Sequence, residues 1–236
     1  MGAEDLEGAS LLKLALTDVN VFAGVGGRFD ANGELVTDGA SGFSVDGANV
    51  TLAILKATPA AGTTDTRRWL GLQASLDQIS VAGLSGFTLE VQGLSVGFNQ
   101  ASGQLDRSGT VTLAERLDWE TLVPDANLTL ASSDELKVSG CLALDIQGFV
   151  LVSGNFNLLK RTVDVDVNGD GFHDPATNPT SADLKDASLL SIELRDVNLF
   201  VGAGASFSEG TRTGGCTTCG GLGSSSSPSP PAIDTD

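Results

Sequence analysis

Apolar and polar residues alternate at period two through most of this chain. Between Leu136 and Leu158 the even positions are apolar or glycine, among them Leu142, Leu144, Ile146, Val150 and Val152, while the odd positions include Lys137, Ser139, Asp145, Gln147 and Asn155. Such alternation is the mark of a strand with one face buried. A typical strand has about 3–10 residues, so this run predicts either one long strand bent at its glycines or two strands in succession.

Elsewhere the alternation slips. Leu70, Leu72, Ala74 and Leu76 share one parity; Ile79, Val81, Phe87, Leu89 and Val91 take the other; Leu94, Val96 and Phe98 revert. Leu12, Leu14 and Leu16 likewise give way to Val19, Val21, Ala23 and Val25. A slip of one residue exchanges the two faces of a strand, so each switch predicts a β-bulge or a turn. Gly42-Phe43, Gly86-Phe87 and Gly148-Phe149 each open an alternating stretch, and the expectation there is a glycine bend with the phenylalanine plugging the core behind it.

The chain also begins again near its end. Residues 11–29 read LLKLALTDVNVFAGVGGRF, and residues 189–207 read LLSIELRDVNLFVGAGASF, identical at 10 of 19 positions at an offset of 178. A fixed internal period marks an array, although this one far exceeds the roughly 20–50 residues of ordinary solenoids. Residues 1–188 thus read as one full unit, 189–207 as the start of a second (which can instead pair with the first), and 208–236 as a Gly/Ser/Pro-rich tail without structure. Both copies predict the same shape: a strand, a parity switch at Asp18-Val19 and Asp196-Val197, then a glycine-bent strand. Helical signals are confined to single turns at 181–187 and 114–122. The fold class expected is all-β and antiparallel, with long bent, bulged strands in an elongated sandwich or rolled sheet around one continuous core over about residues 8–207.

Charge narrows the partners. Thirteen basic residues against 30 acidic ones give a formal net charge of −17; that field repels nucleic acid and anionic lipid and attracts divalent cations. No run approaches the roughly 18–20 apolar residues of a membrane-spanning helix. MGAEDLEGAS has no basic and apolar leader pattern, and Leu6 stands where myristoylation needs Ser or Thr.

The strongest chemical signal is Asp164-Val-Asp166-Val-Asn168-Gly169-Asp170-Gly171-Phe172-His173-Asp174. Calcium takes six to eight oxygens, and alternate side chains of a tight loop converge on one ion where glycine permits the turn. The expected ligands are Asp166, Asn168, Asp170, Asp174 and the Phe172 carbonyl, with Asp164, Asp183 or Asp186 completing the set. Position 12 of the loop is Thr177, so the bidentate Glu of an EF-hand is missing. The bland alternative is an acidic turn that binds nothing tightly.

Other motifs carry less. Cys216, Cys219, Cys141 and His173 make a zinc set on paper, but one CxxC in a Gly/Ser tract has no framework to orient it, so a local disulfide or free tail thiols is expected. Gly93-Leu-Ser95-Val-Gly97 matches a nucleophile-elbow string yet continues an alternating strand, where strand–turn–helix is required. Gly24-Val-Gly26-Gly27 lacks the third glycine of a dinucleotide fingerprint. Trp69 and Trp119 read as core-edge residues with satisfied N–H groups. Asn49 and Asn127 head glycosylation sequons.

The stretches DVNVFAGVGG, GANVTLAILK, WLGLQASLDQISVAGLSGFTLEVQGLSVGFN and VSGCLALDIQGFVLVSGNFNL resemble long repeat units of very large secreted or surface bacterial proteins that carry calcium-binding β modules. The acidic loop is similar to those of dockerins and thrombospondin type 3 modules. The resemblance implies a non-catalytic, calcium-supported structural or adhesive module outside the cell, with calcium, neighbouring units and a cell-surface or matrix ligand as partners. The alternative is a carrier holding a lipid or other hydrophobic ligand along a long apolar β face.

Overall fold

The computed structural model describes residues 6, 8–167, 183–207 and 233–235. Seven long strands dominate it: β1 (Ser10–Val25), β2 (Ser41–Lys56), β3 (Arg68–Ala82), β4 (Phe87–Ser102), β5 (Asp134–Ile146), β6 (Val150–Val165) and β7 (Leu184–Val201). They form one sheet in sequence order, each strand antiparallel to the next. The chain is mostly β, as the alternation requires.

Of the two readings of 136–158, two strands in succession is the one adopted. Gln147 and Gly148 both take positive φ, 54° and 67°, the conformation of a two-residue hairpin turn that follows the strand twist. Asp145 Oδ1 accepts from the Gly148 N–H at 2.8 Å and closes the turn.

Directly opposed residues share a face, so the register traces rows across the sheet. One row runs Leu14, Leu52, Leu72, Phe98, Leu136, Lys160, Leu190. A second, past the parity switches, runs Val21, Val45, Ile79, Val91, Leu142, Gly154. Leu136 and Leu142 have the same parity in β5, so both rows lie on one face. The switches therefore do not turn the apolar residues over. Each inserts one residue and restores the face, as a bulge does. Positive φ marks the insertion at Asp18 in β1, Gly47 in β2, Gly93 in β4 and Asp196 in β7, and the inserted residues make a crease across the sheet. The opposite face is mixed over the same span: Phe22, Ser44, Ser80, Glu90, Ala143, Ser153, Asn198 form one row, polar at five of its seven positions.

Full burial is concentrated at one end of that second face. Ala53, Leu55, Ala57 and Trp69 pack there against Trp119, Ala126, Leu128 and Leu130 of the connection between β4 and β5. This connection holds a short helix, α1 (Trp119–Leu122), capped by the Asp118 side chain on the Thr121 N–H. Asn99, fully buried, ties it to the sheet: its Nδ2 donates to the Leu117 and Ala131 carbonyls at 2.8 and 2.9 Å, and its Oδ1 accepts from Trp119 Nε1 at 2.9 Å. Trp69 Nε1 donates to the Glu115 carbonyl at 2.8 Å. Both tryptophans are thus buried with their N–H groups satisfied.

Several expectations change. The core does not extend continuously under the sheet: in the two apolar rows only Val45 is buried, and the other large residues are half-buried or exposed. Phe43 and Phe149 do not plug a core; they are 41% and 56% exposed, because Phe43 lies near the start of β2 and Phe149 in the turn before β6, both at the sheet margin. The helical turn expected at 181–187 is strand from Leu184, since pairing with β6 supplies its backbone partners. Ile233–Thr235 pairs with Ala205–Phe207 within the segment expected to lack structure; Ile and Thr are β-formers that the flanking Ser/Pro tract lacks. Residues 208–232 and 236 lie outside the described residues.

Candidate functional site: two matched sheet edges and an acidic turn

The two copies of the recurrent sequence stand at opposite edges of one sheet. Copy one lies mostly in β1 and copy two mostly in β7; among the described residues β1 pairs with β2 alone and β7 with β6 alone. Their shapes agree. In β1 the register shifts between Leu16 and Val19, with Asp18 at φ 54°; in β7 it shifts between Arg195 and Asn198, with Asp196 at φ 52°. Bonds around the crease hold each bulge. The Asp18 N–H donates to Asn49 Oδ1 at 3.2 Å, and the Gly47 N–H to Asn20 Oδ1 at 2.9 Å. On the other edge Asn198, at the place of Asn20, donates from Nδ2 to the Asp196 carbonyl at 3.1 Å.

Orientation agrees as well. Six antiparallel steps separate β1 from β7, so the two run in the same direction. The row from Leu14 ends at Leu190, which stands at the place of Leu12, so equivalent residues lie on the same face with a stagger of two positions. A residue's N–H and C=O both point to one lateral side of its strand, the side alternating with the side chain. With direction and face equal, equivalent residues of β1 and β7 aim these groups to the same lateral side. In β1 the neighbouring strand lies on one side, in β7 on the other. The recurrent segment therefore forms its ladder through one edge in the first place and through the opposite edge in the second.

These edge strands are apolar and exposed. Leu12, Leu14 and Leu16 are 63%, 47% and 42% accessible, and Leu190, Ile192 and Leu194 are 59%, 65% and 64%. A long hydrophobic edge with free ladder groups is a template for a further strand.

The acidic segment follows β6. Asp164 and Asp166 are described, the first exposed and the second half-buried; Asn168, Asp170, Phe172 and Asp174 lie outside the described residues, as does His173. Asp164 Oδ1 accepts from the Asp186 N–H at 2.9 Å, and Asp183 Oδ1 accepts from the Val167 N–H at 3.0 Å. These carboxylates tie the two ends of the connection together. Among the described residues no three Asp, Glu, His or Cys side chains come together as a metal set. Cys141 is fully buried and disulfide-bonded, which corrects the expectation of a disulfide local to the tail; its partner lies outside the described residues. Ser95 sits exposed in the middle of β4, with no turn or helix at that point.

The alternation did not reveal one charged site, the pair Asp65–Arg67. The guanidinium donates to both carboxylate oxygens of buried Asp65, at 2.7 Å from Nη2 and 2.9 Å from Nε, and stands 5.6 Å from the Trp69 ring centre. The Arg67 hydrogen bonds hold the Asp65 carboxyl below its ordinary value, against the opposing effect of burial.

Comparison with protein-family models, with curated proteins and with solved structures finds no match. Among the described residues no helix is long and apolar enough to cross a membrane.

Proposed function

We propose that this chain is a non-catalytic structural or adhesive module of a large extracellular protein, in which the sheet of one unit continues into the next through the recurrent strand. One observation supports this reading above the rest: the recurrent segment, in the same direction, on the same face and with the same bulge, pairs through opposite edges in its two places. A strand able to pair on both edges is what a shared boundary strand needs. Calcium at Asp164, Asp166, Asn168, Asp170, Phe172 and Asp174 belongs to the same proposal, as a clamp on the turn leading into that strand.

A tandem chain tests it, made by following residue 207 with a second copy of residues 30–207. Six strand spacings of about 4.8 Å lengthen the sheet by roughly 29 Å per added unit. Small-angle scattering should show that increment, with a single unfolding transition above the melting temperature of one unit. Two transitions at unchanged temperature, with the units connected flexibly, would count against it. For calcium the test is calorimetric titration of the wild type and of an Asp166→Ala, Asp170→Ala variant. Without the position-12 Glu, affinity on the order of 10⁻⁴–10⁻³ M is expected, and equal weak heats in both chains would reduce the loop to an acidic turn.

The half-buried apolar rows favour a second reading, a carrier of a lipid or other hydrophobic ligand. Native mass spectrometry of purified protein before and after delipidation decides it: a released ligand with stoichiometric rebinding supports the carrier, and an empty protein that takes up no fatty acid excludes it.

A further inference from the structure

We propose that the two sheet edges dock a second copy of this chain, by exchange of the recurrent strand: β7 of one molecule takes the place of β1 beside β2 of another. The proposal rests on the array reading above and extends it from units of one chain to separate chains.

The occupant follows from pairings already present in the structure. β2 pairs with β1 from Ser10↔Lys56 to Leu16↔Val50. The residues of β7 at the places of Ser10 to Leu16 are Ser188 to Leu194, and in β7 these pair with β6 through the other edge. Among the described residues nothing pairs with their other edge. Leu189, Leu190, Ile192 and Leu194 would meet Leu55, Ile54, Leu52 and Val50, repeating the apolar pairs that Leu11, Leu12, Leu14 and Leu16 now make. Ser191 and Glu193 replace Lys13 and Ala15 opposite Ala53 and Thr51, so no like charges oppose each other over this stretch. Beyond it, Asp196 repeats the Asp18 bulge and Asn198 the Asn20 side chain that accepts from the Gly47 N–H.

No other occupant is specified in this way by the chain. An unrelated strand would have to reproduce both the apolar pairs and a one-residue bulge at the crease. In the exchange, one molecule's β1 is released and its β2 receives β7 of the other. The ladder lost is replaced by an equivalent one, and β7 becomes a central strand. The freed β1 leaves the joined sheet one strand short of two complete sheets. Exchange accordingly competes best where β1 is already displaced, as during refolding from denaturant.

The test uses full chains throughout. Chains carrying Thr51→Cys are co-refolded with chains carrying Glu193→Cys, treated with a short bifunctional maleimide, and mapped by peptide mass spectrometry to separate native cysteines. Ala15 opposes Thr51 within one chain, and Glu193 stands at its place, so the proposal expects an intermolecular link between positions 51 and 193. Its yield should exceed severalfold that of the off-register pair Thr51→Cys with Ser191→Cys. Ala15→Cys with Thr51→Cys in one chain gives the folding control. Sedimentation of co-refolded wild-type chain should also show a concentration-dependent dimer that free peptide 187–207 suppresses. Equal yields for the matched and off-register pairs, or a wild-type chain that stays monomeric at all concentrations, would overturn the proposal. Failure here with success of the tandem chain leaves the array reading standing and confines strand sharing to one polypeptide.

Discussion

Asp18 and Asp196 take the same left-handed backbone conformation, at φ 54° and 52°, one on each edge strand of a single seven-stranded sheet. Each follows the Leu-rich part of its strand and precedes Val-Asn and a phenylalanine two residues on. The left-handed region is open to glycine and tolerated by Asp and Asn, whose short polar side chains bond locally. The crease is thus set in the edge strands by aspartate and in β2 and β4 by glycine.

Asp18→Gly and Asp196→Gly should leave stability within about 0.5 kcal/mol of wild type, because glycine adopts this φ freely. Asp18→Val and Asp196→Val should each cost roughly 1–3 kcal/mol, since a β-branched residue is strained there. Denaturant unfolding of the four variants checks this. Similar losses in the two valine variants are the expected sign that the two bulges are equivalent.

Asn99→Leu should destabilise by about 3 kcal/mol, measured as a fall in the denaturant midpoint. Asn99 satisfies three groups at once, the buried Trp119 N–H and the half-buried Leu117 and Ala131 carbonyls, and an unsatisfied buried polar group costs about 1–3 kcal/mol. Trp119 emission should change in the same variant, as its N–H loses its acceptor.

Gly71→Ala tests how closely the β4–β5 connection lies on the sheet. A Cβ at this position would stand 2.5 Å from Leu128 Cδ1 and 2.8 Å from Trp119 Cε2. Overpacking of this kind costs roughly 1–3 kcal/mol. Thermal unfolding of Gly71→Ala at unchanged far-UV circular dichroism is the measurement.

Arg67→Met should remove a pH-dependent part of stability. Asp65 has a lowered value in the folded state, so it binds fewer protons there than in the unfolded chain. Its stabilising contribution is full above the ordinary value of 3.8 and declines as the pH falls below that toward the depressed folded value. In Arg67→Met the Asp65 carboxyl should titrate higher, and the wild type's advantage measured at pH 7 should shrink below about pH 4. An advantage independent of pH would assign the role of Arg67 to packing on Trp69.

Much of the architecture was legible because it follows from side-chain period. The alternation at 136–158 gave strands, the slips at Leu16-Val19 and Leu94-Val91 gave bulges, and the recurrence of 11–29 at 189–207 gave two segments of one shape. Period alone does not give tertiary placement. Nothing in Phe43 or Phe149 distinguishes a core plug from an exposed margin, since each sits between a glycine and an alternating apolar run. The burial of Trp119 depends on a connection of irregular structure folding back onto Gly71, which has no periodic signature. Asp65 ends a two-residue strand and Arg67 stands in the link to β3, a stretch too short for a pattern. That the two recurrent segments run in the same direction, and so pair through opposite edges, depends on an even number of antiparallel steps between them, and strand count was not fixed by the alternation.

Residue-resolved hydrogen exchange on the full chain reads out which edge each recurrent segment uses. If the recurrent strand pairs through opposite edges in its two places, equivalent amides must be protected in complementary fashion. Wherever an amide of Leu11 to Leu16 is protected by β2, its counterpart in Leu189 to Leu194 should exchange fast, and the reverse should hold at the next position. Protection of the same alternate positions in both segments would mean that both copies pair through the same edge, and would contradict the account of a strand that can stand between two units.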